Sequence, residues 1–267
     1  MMRGLKIFVH CFVLSASVYS QQYYSSTPLT VLILDNNAPF SSKDASGNWV
    51  GFIPDYVKAV AAQAGLTYNL AVQADGVYGM PQADGSWNGL IGALASKKAD
   101  IVAADLVITP QRLTVVEFPT PYIAVGLRIL LPASATSATG LNYVVLKDGS
   151  DQEFLQTSPD PKVQAILANI QATNGWLTSY QDGVNRVLAG GVAMVGNEVQ
   201  LRPYIDANPG KLKFADGEAL AQSYYALAVQ IGSPLRDQLS IAVSKVNEDG
   251  TTSALLRANK IGYIQRT

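Results

Sequence analysis

The sequence predicts an α/β chain folded as two lobes, and three observations carry that prediction. Apolar strand-like runs alternate with helix-like periodic segments through the first half of the 267 residues. A small, polar, linker-like stretch, "PASATSATG" (Pro132–Gly140), breaks the alternation, and the pattern restarts beyond it. Two segments, "LIGALASKKADIVAAD" and "VNRVLAGGVAMVGNE", share one order of helix, turn, buried strand and acid, the acids being Asp105 and Glu198. Open α/β sheets bind ligands beyond the carboxyl ends of their strands, so two lobes that each place a charge there imply a cleft between them. The competing reading is that both acids only start the next helix, where a carboxylate meets the positive end of the helix dipole.

The elements follow in order. "LTVLILD" reads as a buried strand. "PDYVKAVAAQAG" reads as a helix, with Pro54 in the first turn, Val57, Val60, Ala61 and Ala64 on one face, and Gly65 as the stop. "TYNLAVQ" is a second strand, "NGLIGALASKKA" a helix with Leu90, Ile91 and Leu94 inward, and "DIVAADLVI" a third strand. Beyond the break come the strand "NYVVLKDG" and the helix "SDQEFLQT", with Ser150 as cap and Glu153 completing a capping box. "PKVQAILANIQA" and "DGVNRVLAGG" are helices, the latter running into the strand "VAMVG". "SYYALAVQIGSPLRDQLSIAVSKVNEDG" supplies a strand and an amphipathic helix that starts at Ser233 and Pro234; "SALLRANKIGYI" is a short last helix. A chain that leaves the first lobe and returns crosses twice, expected near Leu127–Pro132 and Tyr225–Gln230. Lobe one is then 28–128 plus 229–267, and lobe two 129–228.

Composition narrows the chemistry. With 48% hydrophobic and 15% charged residues the chain has a core to bury. Residues 1–20 read as an export signal: Arg3 and Lys6 precede the apolar run Ile7–Val18, and Val18 and Ser20 suit cleavage after Ser20. A membrane anchor is the rival reading, but the run is short for a bilayer. Cleavage leaves 17 basic against 20 acidic residues, a balance of −3. It also removes the one His (His10) and the one Cys (Cys11). A zinc site, a Ser-His-Asp triad and a Cys-His pair are thereby excluded. No basic patch suggests nucleic acid, and no cofactor is implied. The expected product is secreted or periplasmic, without a transmembrane span.

"ADIVAADLVITPQR" ends on a lone arginine, and here the residues carry a family. "WNGLIGALASKKADIVAADLVITPQRLTVVEFPTPY" resembles the ligand-binding core of ionotropic glutamate receptors, and equally the amino-acid-binding periplasmic proteins of solute-binding family 3. "GNWVGFIPDYVKAVAAQAG", "DGVYG", "DGSDQEF" and "GSPLRDQLSIAVSKVNEDG" continue the resemblance in order, from about Leu29 to Ile264. The resemblance implies a periplasmic-binding-protein-like (type II) clamshell. It puts Arg112 where the family's arginine grips an α-carboxylate, a geometry lysine does not reproduce. Thr109 as cap and Pro110 in the first turn would set Arg112 at a helix start. Glu198 falls where the lobe-two acid holds the ligand's ammonium, and Phe52 where an aromatic covers the ligand. Ser150 and Asp151 fall at the lobe-two helix start that receives the distal group or carboxylate. Tyr78 and Trp87 lie in matching motifs and are read as packing residues.

Departures from the family pattern also matter. Asp105 stands where the receptors often have proline, its backbone carbonyl still able to accept from an ammonium. Val107 replaces a threonine whose hydroxyl helps hold the carboxylate, a loss of roughly 0.5–1.5 kcal/mol. Asp151 replaces a threonine of glutamate-selective receptors, and a carboxylate there repels an acidic side chain. The lobe-two cysteine pair of many receptors is absent, and "PASATSATG" stands where the receptors insert a pore. The expectation is a monomeric, secreted amino-acid-binding protein that closes its lobes over the ligand. The alternatives are a receptor module working with a membrane receptor or transporter partner, and an enzyme on the same scaffold.

Overall fold

A computed structural model describes residues 27–262 of the chain; the expected export signal, with His10 and Cys11, lies outside the described residues. In chain order the first elements are β1 (Leu29–Ile33), β2 (Ser42–Lys43), β3 (Trp49–Val50), α1 (Phe52–Ala64), β4 (Tyr68–Val72), α2 (Gly89–Ala95), β5 (Ile101–Val102), β6 (Val116–Glu117) and β7 (Ile123–Pro132). There follow β8 (Asn142–Leu146), α3 (Ser150–Thr157), α4 (Pro161–Thr173), β9 (Trp176–Leu177), α5 (Tyr180–Ala189), β10 (Val192–Asn197) and α6 (Glu198–Ala207). The chain closes with β11 (Leu212–Phe214), β12 (Ala221–Tyr225), β13 (Ala228–Gln230), α7 (Leu235–Glu248) and α8 (Thr251–Ala258).

Two sheets anchor two lobes. The first has the order β4-β1-β5-β13-β6. Its β1 pairs in parallel with β4 and β5, and β13 returns antiparallel from the far end of the chain. The second has the order β11-β7-β10-β8-β9, with β12 also on β7. There β10, β8 and β9 run parallel, while β7 opposes β10, β11 and β12. Sequence alternation anticipates the parallel parts, because a helix must carry the chain back between parallel strands.

The periodic faces pack as they read. Val57, Val60 and Ala64 of α1 are buried in the first core, Ala61 is buried beside them, and Gly65 closes the helix at φ 67°, a left-handed stop that costs glycine little. Leu90, Ile91 and Leu94 of α2 are fully buried against the other face of the sheet. Pro234 caps α7, and the Ser233 hydroxyl accepts from Leu235 N at 3.3 Å. One cap differs from expectation. The cap of α3 is Gly149, and Ser150 is already helical, so no capping box forms and Glu153 is freed for another partner.

The long strand β7 carries no clear sequence signal, since the arginine of "VGLRILLP" interrupts its apolar run. It pairs with β12 from Ile123↔Tyr225 to Leu127↔Ala221, and Leu127–Pro132 lies within it. Ile123, Val125 and Tyr225 sit in the first lobe's core, whereas Leu127 sits in the second's. This antiparallel pair spans both cores and is the two-stranded connection between lobes. No helix among the described residues is long and apolar enough to cross a membrane.

Candidate functional site

Asp105 lies just past β5, beyond the carboxyl end of a central strand, where open α/β sheets gather ligands. Its carboxylate is buried. It accepts from Asn37 Nδ2 at 2.8 Å, from the Tyr78 hydroxyl at 2.9 Å and from Gln200 Nε2. Gln200, on α6 of the second lobe, also donates to the Tyr78 oxygen at 3.0 Å. Here the lobes are bonded directly to each other. Burial raises the Asp105 pKa, and the bonds from Tyr78, Gln200 and Asn37 oppose the rise.

Arg112 is the largest fully buried side chain, 1% exposed, and starts a single 3-10 turn, Arg112–Thr114. Its Nη1 donates to the Val107 carbonyl at 2.8 Å and its Nη2 to the Gly79 carbonyl at 3.3 Å. The Thr109 hydroxyl accepts from Arg112 N at 3.2 Å, the capping contact expected there, although no longer helix follows. Gly79 presents its carbonyl from a tight place: its φ is +122°, and a Cβ there would meet Asn88 O at 2.7 Å. Arg112 makes no ion pair among the described residues, and Nε has no hydrogen-bond partner. Burial lowers its pKa to about 10, while Glu153, Tyr78, Asp151 and Asp105 favour the charged form.

The start of α3 supplies the opposing wall. Asp151 is buried and accepts from Asn197 Nδ2 at 2.7 Å and from the Tyr180 hydroxyl at 3.1 Å; the Ser150 hydroxyl stands 3.4 Å away. Burial raises its pKa to about 6, against the Tyr180 and Ser150 contacts and the Arg112 charge. Glu153, one turn on, is 3% exposed, and its Oε2 is buried with no hydrogen-bond partner. Burial raises its pKa too, opposed by the Thr109 hydroxyl, the Arg112 charge and the Gln111 N–H on the facing turn. Asp105, Asp151 and Glu153 thus lie near one buried arginine.

Two cavities lie here and share Val107, Ser150, Asp151 and Asn197. The inner one, among Tyr78, Asp105, Tyr180 and Gln200, has only about 10 Å³, roughly room for one water. The outer one has about 360 Å³ and is walled by Val107, Ile108, Leu127 and Phe154 with Asp151 and Glu153. Arg112 borders neither. Among the described residues no group of three or more His, Cys, Asp or Glu is placed to hold a metal ion.

Of the residues singled out from sequence, Arg112, Asp105, Val107, Ser150 and Asp151 converge on this cleft. Phe52 does not. It is fully buried in the first lobe's core, stacked on Tyr56 at 5.2 Å with Tyr122 at 5.7 Å, because it opens α1 on the helix's inward face. Glu198 also turns away. Its Oε2 is 3.9 Å from Arg128 Nη1, and its Oε1 is 3.0 Å from where a Cβ at Gly126 on β7 would stand. Tyr78 is a site residue as well as a packing one, whereas Trp87 only packs, against the second cluster of the first lobe. Sequence reading missed Glu153, Tyr180, Asn197 and Gln200. Asn197 and Gln200 flank Glu198 at the start of α6; they bond to Asp151 and Asp105, while Glu198 lies beside Arg128. Glu153 was taken up by the capping box.

Comparisons with known proteins agree with this fold. Residues 25–135 match a family model described as "Ligated ion channel L-glutamate- and glycine-binding site". The chain is 36% identical over 124 residues to the rat (Rattus norvegicus) glutamate receptor ionotropic, kainate 4, a match covering 44% of this chain and 13% of the relative. It is 46% identical over 81 residues to the zebrafish (Danio rerio) glutamate receptor ionotropic, delta-2, covering 30% of this chain and 8% of the relative. It therefore spans only a small part of the length of these relatives. The solved "Drosophila muscle GluRIIB complex with glutamate" superposes with a TM-score of 0.82 at 21% identity, covering 89% of this chain and 100% of that one. The chain has the two-lobed, periplasmic-binding-protein-like fold, and in sequence and fold it resembles the ligand-binding core of ionotropic glutamate receptors.

Proposed function

We propose that this chain binds a free amino acid between its lobes and performs no chemistry on it. The observation that carries the reading is Arg112, a fully buried guanidinium with no acid bonded to it and with Nε unused. Nearby acids favour the charge but none of the described ones is in ion-pair contact with it, and a ligand α-carboxylate supplies a direct partner with matching planar geometry. The ammonium goes to Asp105, which leaves Asp151 facing the ligand's side chain; Glu198, turned to Arg128, is not part of this proposal. The inner cavity is too small for an amino acid, so the ligand enters an opened cleft. Opening flexes the β7–β12 pair and breaks the bonds from Gln200 to Asp105 and Tyr78. Ligand contacts made with both lobes then favour closure. Residues 28–128 with 229–267, and 129–228, are the proposed moving bodies.

Export by the segment 1–20 and action as a monomer belong to this reading. A second reading is a receptor module working beside a membrane partner, favoured by the receptor relatives. A thermal-shift screen of the twenty amino acids tests the binding function. A ligand at 100 times its Kd should stabilise by about 2.7 kcal/mol; no shift with any amino acid overturns the proposal. Co-purification with a membrane protein separates the two readings.

A further inference from the structure

The outer cavity has features that an amino-acid backbone site does not use. Its volume of about 360 Å³ falls in the range of small-molecule sites, roughly 300–1,000 Å³. Val107, Ile108 and Leu127 form an aliphatic wall, Phe154 faces them, and no lysine or arginine borders the space. Two carboxylates do border it, Asp151 and Glu153, both at least nine-tenths buried. Glu153 Oε2 is left without a hydrogen-bond partner there. The rim carries the exposed Pro110 of one lobe and Pro159 of the other, so the space is reached from solvent without parting the Gln200–Asp105 bond.

We infer that this cavity receives an amine with a compact apolar body. The ammonium meets Glu153 and Asp151, and the apolar body lies against Ile108, Leu127 and Phe154. An unpaired buried carboxylate oxygen calls for a donor, and a cationic donor satisfies both acids at once. The apolar wall selects against a charged or strongly hydrated tail, since a second carboxylate would be desolvated beside two like charges. The inference goes beyond the amino-acid reading because it needs no carboxylate at Arg112. The same chemistry comes from an amino acid with an apolar side chain or from the corresponding simple amine. Burial raises the pKa of both acids, that of Asp151 to about 6, so amine binding should also release protons from Asp151 below about that pH.

Calorimetry of the full chain with phenethylamine, phenylalanine, alanine and 3-phenylpropionate tests it. Phenethylamine and phenylalanine should each bind at least tenfold more tightly than alanine or 3-phenylpropionate. Their ratio tells whether a carboxylate adds affinity. Glu153→Gln should weaken both aromatic amines at least tenfold. Ile108→Trp, which fills the cavity, should do the same while leaving alanine binding in place. Absence of binding by both aromatic amines overturns the inference, as does alanine binding as tightly as phenylalanine or 3-phenylpropionate as tightly as phenethylamine. In the second case the amino-acid reading stands while this one falls. Binding of phenethylamine with no binding of any α-amino acid gives the converse.

Discussion

Gln200 Nε2 stands 3.0 Å from the Tyr78 hydroxyl, a hydrogen bond that joins α6 of one lobe to the loop before α2 of the other. The same amide donates to Asp105, so one neutral side chain bridges the lobes at a buried carboxylate. Gln200→Ala should release that contact at a cost of about 1.5–3 kcal/mol, the range for bonds to charged groups. Small-angle scattering of the ligand-free variant should show a larger radius of gyration. An unchanged profile would mean that other contacts hold the lobes together.

Arg112→Lys should remove most amino-acid affinity. Lysine keeps a charge but loses the planar fork, and a charge-assisted pair is worth about 1.5–3 kcal/mol. The variant also forfeits the bonds to Val107 and Gly79 carbonyls, so its melting temperature should fall. Calorimetry on the fraction that remains folded decides: wild-type affinity there removes Arg112 from the binding site.

Stability should decline as pH rises through the acid range. Asp151 has its pKa raised by burial from 3.8 to about 6, so between these values the folded chain holds a proton that the unfolded chain has lost. Unfolding free energy therefore falls with rising pH across that window and levels off above it. At about 1.4 kcal/mol per pH unit the total is on the order of 3 kcal/mol. Burial moves Asp105 and Glu153 in the same direction. Asp151→Asn should flatten the dependence and stabilise the ligand-free protein at pH 7 but not at pH 3. Urea unfolding at a series of pH values checks this; parallel curves for the two proteins would exclude it.

Free glutamate should bind poorly. Asp151 is buried in the cleft rather than turned to solvent, and two like charges about 4 Å apart repel by roughly 4 kcal/mol at an effective dielectric of 20. A competition assay of glutamate, alanine, serine and arginine on wild type and Asp151→Thr reads the effect. Wild-type preference for glutamate, or a threonine variant that gains nothing for it, defeats the argument and leaves the clamshell reading intact.

Phe52→Ala should act on stability alone. The ring is fully buried among Tyr56, Tyr122 and Phe40, and such truncations cost about 3–5 kcal/mol. Affinity per folded molecule should stay at the wild-type value. Selective loss of binding with an unchanged melting point would return Phe52 to the cleft.

The sequence by itself determined the class of fold and one anchor. Its apolar periods are local properties, readable over a dozen residues, so α1, α2 and the strands β1 and β4 could be read from it. Arg112 was legible because a family pattern surrounds it in order. Which neighbours face the cleft was decided by tertiary structure. Glu198 and Gln200 lie two residues apart on one helix and point about 160° apart around it, and only packing of α6 on β7 selects which meets Asp105. Glu153 fits a capping box by spacing, yet Gly149 takes the cap and the carboxylate crosses to the Thr109–Arg112 turn. Phe52 became core because the inward face of α1 is a property of the whole lobe. The burial that lifts the Asp151 pKa and lowers that of Arg112 is set by neighbours distant in the chain, Asn197 and Tyr180 for the one and Gly79 for the other, and no local stretch of chain encodes it.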